Sequence, residues 1–199
     1  MFLYKIHKYY RSHSFFDFFR KVIYSFFDII SISKLYLKLK AYFILKTLNV
    51  KIGKNVRFNN LPNRISIGKK CLIYDNCSFE FSNTSELIIG ENVVFSYGVV
   101  VCCNCKIEIG NNVQIGEYTS VRDTTHSYAD PNVPIKFQKD IQKPVIIHDN
   151  VWIGRGCIIM PGTIVNSGVI IGANSVVKGN FVENSIYVGS PAKFVKKRF

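Results

Sequence analysis

The sequence predicts an all-β solenoid: a parallel β-helix of about five coils, preceded by a helical segment and interrupted once by a protruding loop. Three observations predict it. Ile147, Ile153, Ile159, Val165, Ile171 and Val177 recur at every sixth position. A period of six fits neither a helix nor an amphipathic strand, but it suits a short strand ending in a turn with one aliphatic side chain pointing inward. Turn-tolerant residues fill the gaps, with glycine at Gly154 and Gly172 and Asn150, Asn166, Ser167 and Asn174 elsewhere. The same pattern, less regular, extends back to Ile52, and it fails once, between Val121 and Ile147.

Residues 1–48 differ from the rest. They are rich in Phe, Tyr and Lys, carry Arg11 and Arg20, and contain no glycine or proline. Phe15, Phe18, Phe19, Val22, Ile23, Phe26, Phe27 and Ile30 follow helical spacing. Asp17, Arg20, Lys21 and Asp28 break the apolar run, which argues against a spanning helix. Two roles fit: a cap on the open end of the solenoid, or a basic aromatic helix on an anionic membrane surface.

The solenoid domain is expected over 49–180. Ile52, Phe58, Ile67, Ile73, Phe79, Ile89, Phe95, Val101, Ile109, Ile115 and Val121 are its first inward residues. Three hexads make one triangular coil of about eighteen residues. After Val121 the next inward residue is due near 127 but arrives at Ile147, so a loop of about 122–146 is pushed out of the stack. Loops of this length inside a compact repeat are usually functional. Residues 181–199 leave the repeat through Gly189-Ser190-Pro191-Ala192-Lys193 and end in a basic segment.

The formal net charge is +13 and the pI about 9.5. No nucleic-acid-binding motif accompanies that charge, so the expected partners are anionic small molecules, acidic polysaccharide or a membrane surface. The cysteines are Cys71, Cys77, Cys102, Cys103, Cys105 and Cys157. No secretory signal is legible ahead of them, so they read as reduced thiols filling the coils. Cys102-Cys103-Asn104-Cys105 lacks the paired Cys-x-x-Cys spacing of a zinc site, having no second such pair, and no metal is expected.

The loop carries His126, in Thr124-Thr125-His126-Ser127-Tyr128, where a plain repeat has no use for an imidazole. Its natural role is that of a general base. Three acidic residues compete to orient it. Glu108 lies eighteen positions earlier and would stack beneath it in ideal coils. Asp123 sits at the loop's root, and Asp130 lies farther along it. Trp152, the single tryptophan, covers apolar surface or flanks a ligand. His148 follows an inward residue and reads as a turn residue.

The His126 loop, the Val151-Trp152-Ile153-Gly154 that restarts the coils and the closing Val188-Gly189-Ser190-Pro191-Ala192-Lys193 together resemble the hexapeptide-repeat acyltransferases. The resemblance is to those that O-acetylate sugars and capsular polysaccharides, and it covers about residues 50–199. It implies a left-handed β-helix, a homotrimer with sites between subunits, acetyl-CoA as acyl donor, and a saccharide acceptor in capsule or lipopolysaccharide synthesis. It implies cytoplasmic residence, with residues 1–48 as a possible contact to the inner membrane face. Gly154, Arg155, Gly156, Gly172 and Ala173 would face the pantetheine arm, beside Trp152. Lys178, Lys193 and Lys196-Lys197-Arg198 would lie near the nucleotide phosphates. Relatives often read Val-Val-Thr-Lys-Asp where this chain reads Val-Val-Lys-Gly-Asn, so Lys178 stands one place early. The alternatives are N-acetylation of an amino-sugar nucleotide, a non-catalytic solenoid, and a γ-carbonic-anhydrase-like metalloenzyme. The last needs three imidazoles around zinc, and His7, His13, His126 and His148 show no paired spacing in the repeats.

Overall fold

The computed structural model describes residues 49–60 and 62–199. The expected helices of 1–48 lie outside them. The described chain winds through three parallel sheets that form the sides of a prism. The first face stacks Val50–Ile52, Cys71–Ile73, Val94–Phe95, Gln114–Ile115, Trp152–Ile153, Ile170–Ile171 and Ser185–Val188. The second stacks Arg57–Asn59, Ser78–Phe81, Val100–Cys103, Ser120–Arg122, Ile158–Ile159 and Val176–Val177. The third stacks Arg64–Ile67, Glu86–Ile89, Lys106–Ile109, Val145–Ile147, Ile164–Val165 and Asn180–Phe181.

Two of the sheets have six strands, so there are six coils rather than about five. The sixth coil was hidden in the sequence because its third side, Asn180–Phe181, follows Val177 by four residues instead of six. The solenoid also continues past 180. Ile186 and Tyr187 still pair in parallel with Ile170 and Ile171, and Lys193–Lys197 then closes the first face as an antiparallel edge strand.

The six-residue pattern works because each strand sends one side chain inward at the same height as its neighbours. Ile115, Ile153 and Ile159 are fully buried, and Ile147 and Ile171 are 1% exposed. Burying such a side chain contributes about 1.5–3 kcal/mol. A second inward column lies two residues earlier and takes small side chains, as in Val56, Cys77, Val99, Thr119, Cys157 and Ser175. The buried hydroxyl of Thr119 donates to Gly154 O at 3.0 Å and accepts from Cys157 N at 3.2 Å, so it carries no unpaired polar group. The early coils are filled by rings instead. Phe58 stacks on Phe79 at 5.1 Å, and Phe79 meets Phe95 edge-on at 5.4 Å.

Five of the six cysteines are buried and Cys105 is half-buried; all six are free thiols. Cys102 Sγ donates to Glu80 Oε2 at 3.4 Å while Cys103 Sγ donates to Glu86 O at 3.2 Å, so these neighbouring sulfurs have different partners. Among the described residues no cluster of His, Cys, Asp and Glu has the arrangement of a metal site. Burial, reinforced by nearby carboxylates, pushes the Cys102 thiol up to about 11 and, with Asp123 beside it, the Cys105 thiol up to about 11 as well. Burial and the Asp123 charge also raise Cys103. Above pH 9 the unfolded chain therefore releases thiol protons that the folded chain keeps. The folded state then binds more protons, and stability falls as pH rises from about 9 through 11. The denaturation midpoint is expected to drop between pH 8 and pH 10.5, and a Cys103→Ala, Cys105→Ala variant should lose part of that drop. At pH 8 the native thiols should resist alkylation that denaturant makes rapid. An equal alkylation rate in the two states would contradict this burial.

Candidate active site

The break in the repeat is a structured arm. The chain leaves the second face after Arg122, and Asp123 anchors the exit. This carboxylate is fully buried and accepts from Asn104 N at 2.8 Å and Cys105 N at 2.7 Å, and its carbonyl accepts from Lys143 N at 2.8 Å. Thr124 and Thr125 then pair antiparallel with Gln142 and Ile141. Beyond that ribbon, Gln138 ties the tip together. Its amide donates to Asp130 O at 2.8 Å and Val133 O at 2.7 Å, beside a short 3₁₀ turn at Ile135–Phe137.

The antiparallel register carries one step further to put His126 opposite Asp140. Their side chains meet, Nδ1 to Oδ1, at 2.8 Å. An ionised carboxylate only accepts, so Nδ1 is the donor in this contact, and the ring in its neutral form then presents a lone pair at Nε2. That is the tautomer a general base needs. The imidazole is exposed on this chain, with 74% of its side chain accessible.

None of the three acidic residues marked in the sequence makes this contact. Asp123 spends both oxygens on the turn at Asn104-Cys105, and Asp130 accepts from Asn132 N at 2.9 Å. Glu108 stacks between Ile88 and Ile146, and its carboxylate sits 2.9 Å from Lys106 Nζ, which raises that lysine's pKa. The stacking that would have placed it under His126 fails for two reasons. Here the coils repeat every twenty residues, as in Val101 beside Val121, and the chain has already left the coil at 126. Asp140 was missed in the sequence. The signal that points to it is local: β-favouring Thr124-Thr125 and Ile141-Gln142 at the two ends of the excursion form a ribbon whose next pair is 126 and 140.

The residues expected to face the acyl donor gather at the corner between the first and second faces. Gly116, Gly154 and Gly172 stack there, with Gly116 N bonded to Ile153 O and Gly154 N to Ile171 O. A Cβ on Gly116 would lie 2.5 Å from Arg155 N and one on Gly154 2.6 Å from Ala173 N, so these two positions admit only glycine. Arg155 and Ala173 stand side by side at the tip, where Asn174 N donates to Arg155 O at 2.8 Å and Gly156 N to Glu117 O at 2.7 Å. Neither the Arg155 nor the Ala173 N–H has an acceptor among the described residues. Trp152 projects outward from the first face between Gln114 and Ile170 and is 54% exposed. Lys178 is exposed at the end of the second face, and Lys193 begins the edge strand. The 189–192 turn folds against that end, with Ala192 N donating to Val176 O at 2.8 Å. His148 occupies the third corner in line with Gly110 and, like its neighbours there, donates its N–H to the next coil, at Val165 O.

Residues 144–179 match the family model "Bacterial transferase hexapeptide (six repeats)". The dTDP-4-amino-4,6-dideoxy-D-glucose acyltransferase of Escherichia coli is 30% identical over 155 residues, 75% of this chain and 80% of that one. The putative lipopolysaccharide biosynthesis O-acetyl transferase WbbJ of Escherichia coli K12 is 31% identical over 118 residues, 56% of this chain and 60% of that one. Among solved structures, a single-residue mutant of AntD superposes with a TM-score of 0.65 at 26% identity. AntD is an N-acyltransferase from Bacillus cereus, seen with dTDP-4-amino-4,6-dideoxyglucose and coenzyme A; the match covers 83% of this chain and 89% of that one. The chain therefore belongs to the hexapeptide-repeat transferase family, whose solenoid is a left-handed β-helix. It spans about half the length of some curated relatives, 49% in one and 54% in another.

Proposed function

We propose that the protein moves an acetyl group from acetyl-CoA to a hydroxyl of a saccharide, in capsule or lipopolysaccharide biosynthesis. The observation that carries this is the His126–Asp140 pair, held at 2.8 Å on an arm at the one break in the repeat. In the reaction, Nε2 of His126 takes the acceptor hydroxyl proton as the oxygen attacks the thioester carbonyl. The tetrahedral intermediate then expels the CoA sulfur, which takes the proton back from the imidazolium. The similarity to WbbJ supports an O-acetyl product. The similarity to the dTDP-amino-sugar acyltransferase of Escherichia coli favours a second reading, N-acylation of an amino-sugar nucleotide by the same base.

The donor fits the first corner. The open N–H groups of Arg155 and Ala173 suit the amide carbonyls of a pantetheine arm, and Trp152 offers an apolar wall. Lys178, Lys193 and Lys196-Lys197-Arg198 suit its phosphates. The catalytic roles of Glu108 and Asp123 are not retained in this proposal, because Lys106 and the Asn104-Cys105 turn engage them.

The active form is a homotrimer with sites between subunits. The arm's tip exposes Tyr128 at 78%, Ile135 at 55% and Phe137 at 74%, a patch suited to a neighbouring solenoid. Residence is cytoplasmic, where acetyl-CoA is available, and residues 1–48 serve either as a cap or as a contact to the inner membrane face. Among the described residues no helix is long and apolar enough to cross a membrane.

The test is transfer of radiolabelled acetyl from acetyl-CoA to a panel of defined oligosaccharides and amino-sugar nucleotides. Base-labile label on an oligosaccharide is the expected product. Base-stable label on an amino-sugar nucleotide would favour the second reading, and thioester hydrolysis with no acceptor labelled would defeat both.

A further inference from the structure

The corner that holds the donor residues in the late coils carries a different feature in the early ones. Tyr74, Tyr97 and Tyr118 come from three consecutive coils, at exposures of 39%, 47% and 67%. The Tyr74 and Tyr97 rings lie 5.0 Å apart at a tilt of 45°. Tyr118 rests on Gly98, where a Cβ would come within 2.7 Å of its ring, so the glycine leaves room for the aromatic. Coil spacing puts the three rings over about 10 Å. Their hydroxyls have no hydrogen-bond partner among the described residues.

Tyr118 is costly where it stands. The turn hydrogen bonds align it with Asn76, Gly98, Gly156 and Asn174, all at positive φ. Tyr118 itself has φ +59°. Asparagine and glycine tolerate this conformation, whereas a bulky side chain is strained in it. Coil stability alone would place Asn or Gly there. The three rings are also wet on one side, so core packing does not explain them.

We infer that Tyr74, Tyr97 and Tyr118 form a shelf that binds a chain of sugar rings, making the acceptor an oligosaccharide or polymer rather than a monosaccharide. The apolar C–H face of a pyranose lies well on the negative face of an aromatic ring, and the phenol hydroxyls reach its rim. Successive coils repeat the aromatic as a glycan repeats its sugar. The strand Ser120–Arg122 leads from the shelf toward His126, eight residues away and at most about 28 Å along the extended chain. Arg122 lies on that path, with Ser120 Oγ at 3.3 Å and Cys102 Sγ at 3.8 Å from its guanidinium nitrogens. It has no carboxylate partner among the described residues, which leaves it donors for sugar hydroxyls or carboxylates. This inference rests on the saccharide acceptor proposed above and adds its length and its contacts.

The experiment measures equilibrium binding of defined neutral and acidic oligosaccharides, from two to eight sugars, to the full chain without acyl donor. Affinity is expected to rise with chain length. Tyr97→Ala and Tyr118→Ala should each weaken the longer ligands about three- to tenfold, and Tyr97→Phe should retain most of the binding. Tyr118→Asn separates function from packing: it should melt at or above the wild-type temperature while losing the same binding. Absence of any oligosaccharide binding would overturn the shelf, as would variants that bind like wild type. So would a fall in oligomer mass in Tyr97→Ala and Tyr118→Ala, which would make the column a subunit contact. Binding that persists in a protein transferring no acetyl would keep the shelf and reject the proposed reaction. Transfer to long acceptors with KM unchanged in the tyrosine variants would do the reverse.

Discussion

His126→Ala is expected to lower turnover by roughly 10²–10⁴, the usual contribution of a positioned general base. Its melting temperature should stay at the wild-type value, because the imidazole is largely exposed and carries no packing. Affinity for CoA should also be unchanged, since the corner proposed for the donor lies elsewhere in the coils. Asp140→Asn is the companion variant. Its amide can donate to Nδ1 and so hold the ring in the wrong tautomer. A smaller loss, roughly ten- to a thousandfold, is expected, with KM for the donor intact. Nitrogen-15 shifts of the imidazole should show the proton moving from Nδ1 toward Nε2. Glu108→Gln should turn over like wild type, because its carboxylate faces Lys106. Full activity in His126→Ala would remove the residue from the mechanism. A tautomer unaltered in Asp140→Asn would remove the carboxylate as its positioning residue.

The solenoid was legible in the sequence because its energetics repeat. One buried aliphatic per strand, at Ile147, Ile153, Ile159 and onward, is a pattern that only a hexad repeat satisfies. The loop was legible for the converse reason, since a missed beat between Val121 and Ile147 means chain outside the stack. What the period cannot give is anything outside the stack. Asp140 meets His126 through the register of a two-stranded ribbon, which obeys antiparallel pairing and not coil arithmetic. Glu108 looked like a partner only under a fixed coil length. The turn at Asn104-Cys105, between the second and third faces, adds two residues, since Val101 and Ile109 lie eight apart where the other sides step six, and this shifts the stacking to twenty in this part of the chain. Asp123 was chosen for its place in sequence, whereas its fully buried carboxylate serves the fold by closing the turn below it. The tyrosine shelf escaped notice for the same reason as Asp140. Tyr74, Tyr97 and Tyr118 stand at unequal spacings, and only the turn ladder shows that they share a corner.

If the arm is an addition to a self-sufficient solenoid, it can be removed without unfolding the coils. Replacing residues 126–140 by Asn-Gly is expected to abolish transfer while the β-sheet circular dichroism signal stays and the melting temperature moves by no more than about 3 °C. The ribbon makes this possible. Thr125 already pairs with Ile141, and a two-residue Asn-Gly turn closes such a pair with the twist that the strands require. The anchor is kept, because Asp123 and its bonds to Asn104, Cys105 and Lys143 lie below the cut. Loop-closure entropy changes little and favours the shorter chain, by about 0.6 kcal/mol for each halving of length. The excision also takes away Tyr128, Ile135 and Phe137, so sedimentation should show a smaller mass than that of the three-chain assembly proposed for the wild type. Three results would each count against a part of this picture. Unfolding would mean that the arm completes the core. A retained trimer would mean that its apolar tip is not the subunit contact. Retained transfer would place the chemistry on the coils themselves, away from His126 and Asp140.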